Sequence, residues 1–473
     1  MSVDPSEAPL GSLVCPEPGE RPDLWPTAAR RDRDGALVIG GARLGDLRRG
    51  FGSPSYILDR ADLRGRARVW ASAMAEEFWE GYGMAGGRAY YAAKALACAD
   101  VVRVVTAEGM GVDAASLGEL TVALRAGADP ALVGLHGNNK LDGEIDLAIA
   151  AGIARVVVDS LPEVARLEAA AARRSVSVPV MVRLKTGIHA GGNEYIATSH
   201  EDQKFGVSVS DGGAMEVVRA IAASGHLRLI GLHNHIGSQI EGVGAFVAAA
   251  RIVLDFRGRI AREHGIWVPE VDLGGGLGIA YSGADPVPTS PATLARALAE
   301  VVRERCAEQG SPIPRVSVEP GRSVIGPACV TVYEVGTLKD VSLEGGAVRR
   351  YVSVDGGMSD NIRPALYGAV CTATLANRAS AGPWARCRVV GRHCESGDIV
   401  VRDVDLPADL RPGDLLAVPA TGAYGWSMAS NYNYLTKPGV LAVEDGAARW
   451  AVRPQTLEDL MDLDPGLAGR PLP

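Results

Sequence analysis

The run Arg88-Ala89-Tyr90-Tyr91-Ala92-Ala93-Lys94 decides the fold, because it is the first of a series of similar segments. Its apolar residues follow one another directly, which is typical of a strand buried on both faces of a parallel sheet. Lys94 ends this predicted strand, and burial would lower its pKa by disfavouring the charged ammonium group. Such a lysine suits nucleophilic attack on a carbonyl group. The alternative is an ordinary lysine that extends from the strand end to solvent.

Seven further β-rich runs follow, at residues 111–115, 131–135, 154–159, 179–185, 227–235, 270–274 and 315–319. Between them lie Ala-rich amphipathic stretches, among them residues 117–126, 143–151, 162–172 and 291–309. Gly, Pro and Asp at the junctions supply the turns. Strand and helix alternating eight times predict a (β/α)8 barrel of the TIM type.

The helical pattern fades after Val324, where strand-like segments begin, at residues 328–335, 349–354, 386–390, 415–419 and 440–443. Strand-like pieces also precede the barrel, so we expect the chain to start in a β domain, form the barrel and return. The expected divisions are a flexible lead-in at 1–34, an N-terminal part of the β domain at 35–58, the barrel at 59–323 and the C-terminal β domain at 324–473. That β domain is expected to be a sandwich or a barrel-like sheet.

The composition excludes several classes of function. The chain has 473 residues, and its 48 Lys and Arg against 56 Asp and Glu give a net charge of −8. Neither nucleic acid nor an anionic membrane is therefore an expected partner. The seven cysteines are scattered without a CxxC pair, and no apolar run approaches the roughly 20 residues of a membrane span. We expect a cytoplasmic protein without disulfides or a zinc site.

Polar residues are concentrated where the predicted strands end, and in a barrel this rim carries the active site. The strand ends include Lys94, the run His136 to Lys140, the run His233 to Ser238, and the run Glu319 to Arg322. Gly274-Gly275-Gly276 follows strand seven and can direct backbone N–H groups at a phosphate. Ser238 and Arg322 could add charge-assisted bonds to the same anion.

Two rim positions have competing interpretations. His233 and His235 share one face and could bind a metal, but no third ligand lies nearby in the sequence, so no metal is expected. One of the rings is expected to pack on a planar cofactor, while His233 could be a structural histidine. Glu319 is either an ion-paired carboxylate or the partner of a cofactor's ring nitrogen, which it would keep protonated as an electron sink.

The β domain also carries reactive segments. The turn His393-Cys394-Glu395-Ser396-Gly397-Asp398 places a thiol beside carboxylates, and Cys394 is either a reacting group or an inert core cysteine. The segment from Asp355 to Tyr367, which includes Arg363, and the turn Gly422-Ala423-Tyr424 are polar and contain glycine. Loops of this type often carry function.

Together these motifs resemble the fold-type III pyridoxal-phosphate-dependent decarboxylases, and among them the meso-diaminopimelate decarboxylases of actinobacteria. The resemblance covers residues 36–464 and keeps the motifs in order. It rests on Tyr91 to Ala95, His136 to Lys140, His235 to Ile240, Gly274 to Gly276, Glu319 to Arg322, Cys394 to Asp398 and Gly422 to Tyr424. It implies a barrel with a β domain and an enzyme that uses pyridoxal 5'-phosphate.

The resemblance also implies a role for each site residue. Lys94 would hold the cofactor as a Schiff base, His235 would stack on its ring and Glu319 would bond the pyridine nitrogen. The phosphate would be surrounded by Ser238, Gly276, Arg322 and Tyr424. The distal end of the substrate would be bound by Arg322, Arg363, Tyr367 and Tyr424, with Glu395 taking its amino group. Cys394 would be the acid that reprotonates the carbanion.

The implied reaction is decarboxylation of meso-2,6-diaminopimelate at its D-centre to L-lysine and CO₂, the last step of lysine biosynthesis. Arg363 favours this substrate, because a simple diamine precursor has no distal carboxylate to bind. The resemblance implies a homodimer whose active sites are shared, with the Cys394 turn coming from the partner subunit.

Two alternatives remain beside this function. One is a decarboxylase of the same fold that acts on a related or carrier-linked amino acid in a specialised pathway. Departures from the family pattern keep it open, at residues 189–194 and at Lys437-Pro438, where the family usually has Arg-Pro. The other is a non-catalytic regulatory relative, although such proteins usually lack the lysine or the cysteine that this chain retains.

Overall fold

The protein was analysed as a computed structural model that describes residues 9–188 and 203–467. The loop at 189–194 therefore lies outside the described residues, as do residues 1–8 of the expected lead-in. The chain forms two compact units. The barrel unit comprises Arg64–Gly278 and Pro288–Val324, and the sheet unit comprises Met1–Leu63, Ile279–Val287 and Ile325–Pro473. The short segment Ile279–Val287 thus belongs to the sheet unit, although the expected barrel range included it.

The strands, in chain order, are β1 (Arg30–Arg31), β2 (Leu37–Ile39), β3 (Ala42–Arg43), β4 (Ser55–Asp59), β5 (Gly87–Ala92), β6 (Gly111–Ala114), β7 (Val133–Leu135), β8 (Arg155–Val158), β9 (Val178–Lys185), β10 (Val207–Ser208), β11 (Leu227–Asn234), β12 (Glu270–Asp272), β13 (Arg315–Val318), β14 (Cys329–Ser342), β15 (Val348–Val354), β16 (Thr374–Leu375), β17 (Trp384–Val390), β18 (Ile399–Pro407), β19 (Leu415–Val418), β20 (Gly439–Glu444) and β21 (Ala447–Val452).

The α-helices are α1 (Leu44–Phe51), α2 (Arg60–Glu77), α3 (Ala99–Ala107), α4 (Leu117–Ala126), α5 (Asp142–Ala151), α6 (Leu161–Arg174), α7 (Gly213–Ala222), α8 (Gly244–His264), α9 (Pro291–Gln309), α10 (Arg322–Ile325), α11 (Arg363–Tyr367) and α12 (Leu457–Met461). None of the helices in the described ranges is long and apolar enough to cross a membrane.

Eight parallel strands of the barrel unit close into a ring. Their order is β5, β6, β7, β8, β9, β11, β12 and β13, and β13 pairs with β5 to complete the circle. The short strand β10 lies outside the ring and pairs with β9. All pairings within the ring are parallel, so every strand has its carboxyl end at the same rim. The predicted barrel is confirmed, and its rim collects the residues that follow each strand.

The sheet unit is built around one strand from the start of the chain. β4 lies between β14 and β20, antiparallel to the first and parallel to the second. The wider sheet has the order β18-β17-β15-β14-β4-β20-β21, with β19 and β16 branching from β14. The prediction that an N-terminal segment completes a mostly β second domain is confirmed.

The expected flexible lead-in differs from the structure over residues 9–34. Cys15, Leu24 and Trp25 are almost fully buried, and they belong to an apolar cluster with β2, β4 and β20. The Trp25 indole donates a hydrogen bond to the Pro16 carbonyl at 2.9 Å. A few large apolar side chains therefore anchor a segment that has no hydrophobic periodicity, and such isolated anchors escape a periodicity argument.

Candidate active site

Lys94 lies one short turn beyond the first barrel strand. β5 ends at Ala92, and Ala93–Ala95 form a 3₁₀ turn that leaves the Lys94 side chain exposed at the rim. Its positive charge contributes to the low pKa of His235 and opposes the raised pKa of Asp113. The expectation of a buried lysine within the strand is wrong, because the strand ends two residues earlier.

The buried lysine of the rim is Lys140, which is 1% exposed. Its Nζ donates to Glu163 Oε1 at 2.6 Å, to the Val157 carbonyl at 2.5 Å and to the Gly137 carbonyl at 2.8 Å. Burial lowers the pKa of Lys140, and the Glu163 carboxylate opposes that shift. Because all three ammonium hydrogens are bonded inside the protein, we assign Lys140 to the stability of the barrel unit.

Glu319 is the buried carboxylate of the rim, and two imidazoles face it. His136 Nε2 lies 3.0 Å from Glu319 Oε1, and His233 Nε2 lies 3.2 Å from Glu319 Oε2. Burial alone would raise the pKa of Glu319, but His136 and His233 outweigh it and hold that pKa well below its usual range. Burial lowers the pKa of His136 to about 3, so this ring is neutral. Glu319 is therefore an ionised carboxylate inside the barrel.

In the sequence, no third metal-binding residue lies near His233 and His235. In the structure, His136 and Glu319 lie close to His233, so three side chains that could bind a metal come together. The ligand atoms of His136, His233 and Glu319 all lie within 4.8 Å of one another. His235, in contrast, accepts a hydrogen bond from the Gly275 N–H at 3.0 Å through its Nδ1. The two histidines of the motif therefore have separate surroundings. We relate the three-residue cluster to the charge state of Glu319, because His233 Nε2 can donate a hydrogen to its Oε2 and the His136 ring lies close to its Oε1.

Other charged groups of the barrel interior surround Glu319. Burial and the charge of Glu319 raise the pKa values of Asp113 and Asp272. Arg155 donates to Asp272 Oδ2 at 2.5 Å, and its Nη2 also lies 4.0 Å from Glu319 Oε1. Burial lowers the pKa of Arg183, which faces Asp159 at 3.9 Å. The protein thus keeps Glu319 ionised and favours protonation of the neighbouring Asp113 and Asp272. Opposite pKa shifts among adjacent carboxyl groups are typical of functional sites.

Sequence reasoning assigned no role to His136, Asp113, Arg155, Arg183 or Asp272. Arg155 and Arg183 lie in strands otherwise made of apolar residues, and Asp113 and Asp272 lie at or near strand ends. The four charged residues could have been identified from their positions in strands that are otherwise apolar, since a buried charge needs a partner.

The glycine loop after β12 has no room for side chains. A Cβ on Gly274 would lie 2.3 Å from the Asn234 carbonyl oxygen, and one on Gly275 would lie 2.0 Å from that of Glu319. A Cβ on Gly276, whose φ is +116°, would lie 2.1 Å from the Gly237 carbonyl oxygen. The loop therefore brings bare backbone against the ends of strands β11 and β13.

Arg322 and Ser238 meet beside this loop. Arg322 Nη2 donates to Ser238 Oγ at 2.9 Å, although 84 residues separate them in the chain. Arg322 is 8% exposed and begins α10, whereas Ser238 follows β11. The guanidinium, the hydroxyl and the glycine loop together form the kind of surface that binds a phosphate.

In the sheet unit, Arg363 is a buried arginine whose charge is not neutralised by a carboxylate of the described residues. It begins α11, is 8% exposed, and stacks on the Tyr281 ring at 4.0 Å from the ring centre. Its buried Nε has no hydrogen-bond partner within the described ranges. A buried unpaired guanidinium costs free energy, so this geometry is suited to an anionic ligand group. Tyr367, at the end of the same helix, is half-buried.

Cys394 and Glu395 lie on an exposed turn of the sheet unit. Cys394 is exposed, whereas the other six cysteines are buried, and all seven are free thiols. The Cys394 N–H donates to Asn433 Oδ1 at 3.1 Å, and Glu395 Oε1 accepts from the Gly397 N–H at 3.2 Å. Tyr424 lies on a separate turn, half-buried and at a φ of +62°. The inert core interpretation of Cys394 is wrong, because its thiol is open to solvent.

Two buried side chains bind the Cys394 turn to the loop that precedes Arg363. Asp398 accepts from the Met358 N–H at 2.6 Å and from the His393 N–H at 2.8 Å. The His393 ring lies 2.9 Å from Ser359 Oγ. The two loops that carry Cys394 and Arg363 are thereby held in one fixed arrangement within the sheet unit.

Asp360 belongs to the same loop and is buried. It accepts hydrogen bonds from the Tyr333 hydroxyl and from the Gly357 N–H, the latter at 2.9 Å. Burial raises the pKa of Asp360 from 3.8 to about 7, and the bond from Tyr333 opposes that shift. This carboxyl group therefore changes charge near neutral pH.

Replacing Asp360 by asparagine is expected to alter how stability depends on pH. The pKa of Asp360 is about 7 in the folded state, above its ordinary value, so between about pH 4 and pH 7 the folded protein holds a proton that the unfolded chain has released. The bound proton contributes to the free energy of unfolding. This contribution is fully present below about pH 4 and is lost above about pH 7, so the wild type loses stability relative to Asp360→Asn as pH rises. Thermal midpoints of both proteins across this range test it. A difference that stays constant with pH would contradict the assignment.

Comparisons with known proteins agree with the fold of the barrel unit and the sheet unit. Residues 61–326 match the family of the pyridoxal-dependent decarboxylases, pyridoxal binding domain. The chain is 46% identical to the diaminopimelate decarboxylase of Mycobacterium tuberculosis over 447 residues, which cover 94% of this chain and 98% of that protein. It is 38% identical to the Bacillus subtilis enzyme of the same name over 438 residues, covering 92% and 97%.

Solved structures extend the similarity to three dimensions. The diaminopimelate decarboxylase of M. jannaschii in complex with L-lysine superposes with a TM-score of 0.85 at 28% identity, covering 95% of this chain and 99% of that one. The Helicobacter pylori enzyme with L-lysine gives a TM-score of 0.78 at 28% identity, covering 88% and 98%. From the match of the barrel, the near full-length identity and this likeness, we conclude that the chain belongs to the pyridoxal-dependent decarboxylases, within the diaminopimelate decarboxylase family.

Proposed function

We propose that the protein removes the D-centre carboxyl group of meso-2,6-diaminopimelate, with pyridoxal 5'-phosphate as cofactor, and yields L-lysine and CO₂ as the last step of lysine biosynthesis. The observation that carries the proposal is the ionised, buried Glu319 at the rim of the barrel. Only a cationic or proton-bearing partner makes such a carboxylate favourable in that position. The protonated ring nitrogen of the cofactor is a partner of this kind.

The residues of the rim fit the cofactor. The side-chain-free loop at Gly276, together with Ser238 and Arg322, suits its phosphate, and Lys94 is exposed where it can bond covalently to the aldehyde carbon. Glu319 Oε1 is a buried acceptor without a hydrogen-bond partner among the described residues. When bound, pyridoxal phosphate supplies an electron sink for the charge that remains after CO₂ departs.

Glu319 and His235 have separate roles in this proposal. Glu319 would hold a proton on the ring nitrogen of the bound cofactor, because its own pKa is kept low by the two imidazoles beside it. Burial, together with the charge of Lys94, keeps His235 neutral by lowering its pKa well below the usual range. A neutral imidazole can lie against an aromatic ring without adding charge to it, so His235 is suited to stacking on the cofactor.

The residues of the sheet unit suit the distal end of the substrate. That end carries a carboxylate and an ammonium group, and each needs an opposite charge. Arg363 offers a buried guanidinium, and Glu395 offers an exposed carboxylate. We assign the distal carboxylate to Arg363 and Arg322 with Tyr367 and Tyr424, and the distal ammonium group to Glu395. Tyr424 would also contribute to the phosphate site.

Cys394 is proposed as the acid that delivers the proton after CO₂ leaves. Its thiol is exposed on a turn whose geometry is fixed by Asp398. We further propose a homodimer in which this turn, with Glu395, completes the site on the barrel of the partner subunit. The seven free thiols favour a reducing compartment, and we place the enzyme in the cytoplasm.

The direct test is lysine formation from meso-diaminopimelate by purified protein loaded with pyridoxal phosphate. Arg363→Ala is expected to raise KM roughly a hundredfold with a smaller change in kcat, since it removes a charge-assisted bond to a part of the substrate that does not react. Arg392→Ala is the matched control, because Arg392 is an exposed arginine of the same unit. Absence of lysine formation by the loaded wild type would refute the proposed function, and an unchanged KM in Arg363→Ala would refute the role of that residue.

A further inference from the structure

The barrel unit has a cavity at the end opposite the catalytic rim. Its volume is about 870 Å³, and its walls come from the amino ends of the barrel strands and from the glycine-rich segment before β5. Gly86, which precedes β5, and Gly87, the first residue of β5, line it. No motif of the predicted active site lies in this region, and the proposed decarboxylation does not use it. We call this cavity the lower mouth of the barrel.

Four arginines line the lower mouth, and strand geometry explains why they meet there. Arg155 and Arg315 are the first residues of their strands, and Arg88 and Arg228 are the second. Side chains two residues apart in a strand lie on the same side. Tyr90, Ser317 and Ile230, which follow Arg88, Arg315 and Arg228 at that spacing, also line the cavity.

The positive charge of the lower mouth exceeds its negative charge. Glu80 and Glu270 are the carboxylates among the lining residues. Glu270 is engaged by Arg315, whose Nη1 lies 2.9 Å from its Oε1. The side chains of Arg88 and Arg228 form neither a hydrogen bond nor an ion pair with other described residues. Two guanidinium groups at this cavity therefore have unused hydrogen-bonding capacity.

Arg155 extends the positive charge to the inner end of the cavity. It is 1% exposed, stacks on the Tyr90 ring at 3.8 Å from its centre and donates to Ser317 Oγ at 2.9 Å. Its buried Nε has no hydrogen-bond partner within the described residues. The position of this guanidinium is fixed by these contacts, so the deep wall of the cavity is preorganised.

We propose that the lower mouth binds a small oxyanion that carries two or more negative charges. The planar fork of arginine matches the oxygens of phosphate and carboxylate groups. Arg88 and Arg228 supply the contacts, because Arg315 and Arg155 are already paired with Glu270 and Asp272. A monoanion would gain less, because the attraction to a site of net positive charge grows with the charge of the ligand.

The test uses inorganic pyrophosphate and the holoenzyme with pyridoxal phosphate bound, so that the phosphate site of the rim is already filled. Isothermal titration at constant ionic strength is expected to show saturable binding at millimolar pyrophosphate. Arg88→Gln and Arg228→Gln are each expected to weaken it by about tenfold, through loss of a charge-assisted bond. Arg103→Gln is the matched control, since Arg103 is an exposed arginine of the same unit in α3.

Absence of saturable binding, or equal affinity in Arg88→Gln, Arg228→Gln and the wild type, would overturn the proposal. Release of the cofactor during the titration, seen as loss of its visible absorbance, would also overturn it by locating the anion at the rim. Arg228 is exposed, so its variant keeps the test valid if Arg88→Gln does not fold. The result is independent of the proposed substrate, because no turnover is measured.

Discussion

Lys94→Ala is expected to abolish lysine formation, with a fall in kcat of about four orders of magnitude or more. The side chain is exposed on a short turn at the carboxyl ends of the barrel strands, and its charge influences the pKa values of His235 and Asp113. Unlike Lys140, whose three ammonium hydrogens are bonded inside the protein, Lys94 has an amine that can bond to the cofactor. The measurement is turnover together with the visible absorbance of the purified protein, which is expected to shift because the covalent bond is lost.

Two lysine controls separate this effect from a loss of structure. Lys339→Ala changes an exposed lysine of β14 and is expected to leave turnover and absorbance unchanged. Lys140→Met removes the partner of the buried Glu163 and is expected to lower the thermal midpoint while the cofactor absorbance remains. A Lys94→Ala protein that retains both the absorbance and the turnover of the wild type would exclude Lys94 as the cofactor lysine.

Cys394→Ala is expected to lower kcat by about 10² to 10⁴, the range typical of a lost general acid, while cofactor binding is retained. Ser396→Ala is the matched control in the same exposed turn. Because Asp398 and its neighbours hold the turn in place, removal of the thiol alone should not disturb the loop that carries Arg363. Full activity of Cys394→Ala would remove the thiol from the mechanism.

The shared site of the proposed homodimer has its own test. Equal amounts of Lys94→Ala and Cys394→Ala subunits, allowed to exchange, form mixed dimers in which one of two sites combines an intact lysine with an intact cysteine. About one quarter of wild-type activity is then expected, since half of the dimers are mixed. If verified subunit exchange restores none, Lys94 and Cys394 act within one chain.

Much of the fold could be predicted from the sequence because local signals and packing agree. The helix predicted at residues 117–126 is α4, which begins after the capping side chain of Ser116 and ends at Gly127 in a left-handed conformation. β18, with its sequence IVVRDVDLP, was missed, because charged residues interrupt its apolar pattern. The packing of the N-terminal segment was missed because its buried apolar residues, such as Trp25, do not recur at a regular spacing in the sequence.

The candidate site was predictable in position but not in charge state. Glu319 was identified from its place at a strand end, yet its ionisation depends on His136 and His233, which approach it only when the ring of strands closes. Lys94 was expected to be buried, but it is exposed, and the buried lysine of the rim is Lys140. The difference depends on where β5 ends, and strand boundaries are the least certain part of a sequence-based prediction.

The central place of β4 in the sheet unit sets the order in which a nascent chain can fold. β4 leaves the ribosome about 270 residues before its neighbour β14, and later still comes β20. At a synthesis rate of roughly 5 to 20 residues per second, this apolar strand waits about 14 to 54 seconds for its first partner. The barrel sequence is complete by then, whereas the sheet unit cannot close until translation is nearly finished. During that interval β4 is open to pairing with another nascent chain on the same message, so the folding yield should depend on how rapidly the segment between β4 and β14 is translated.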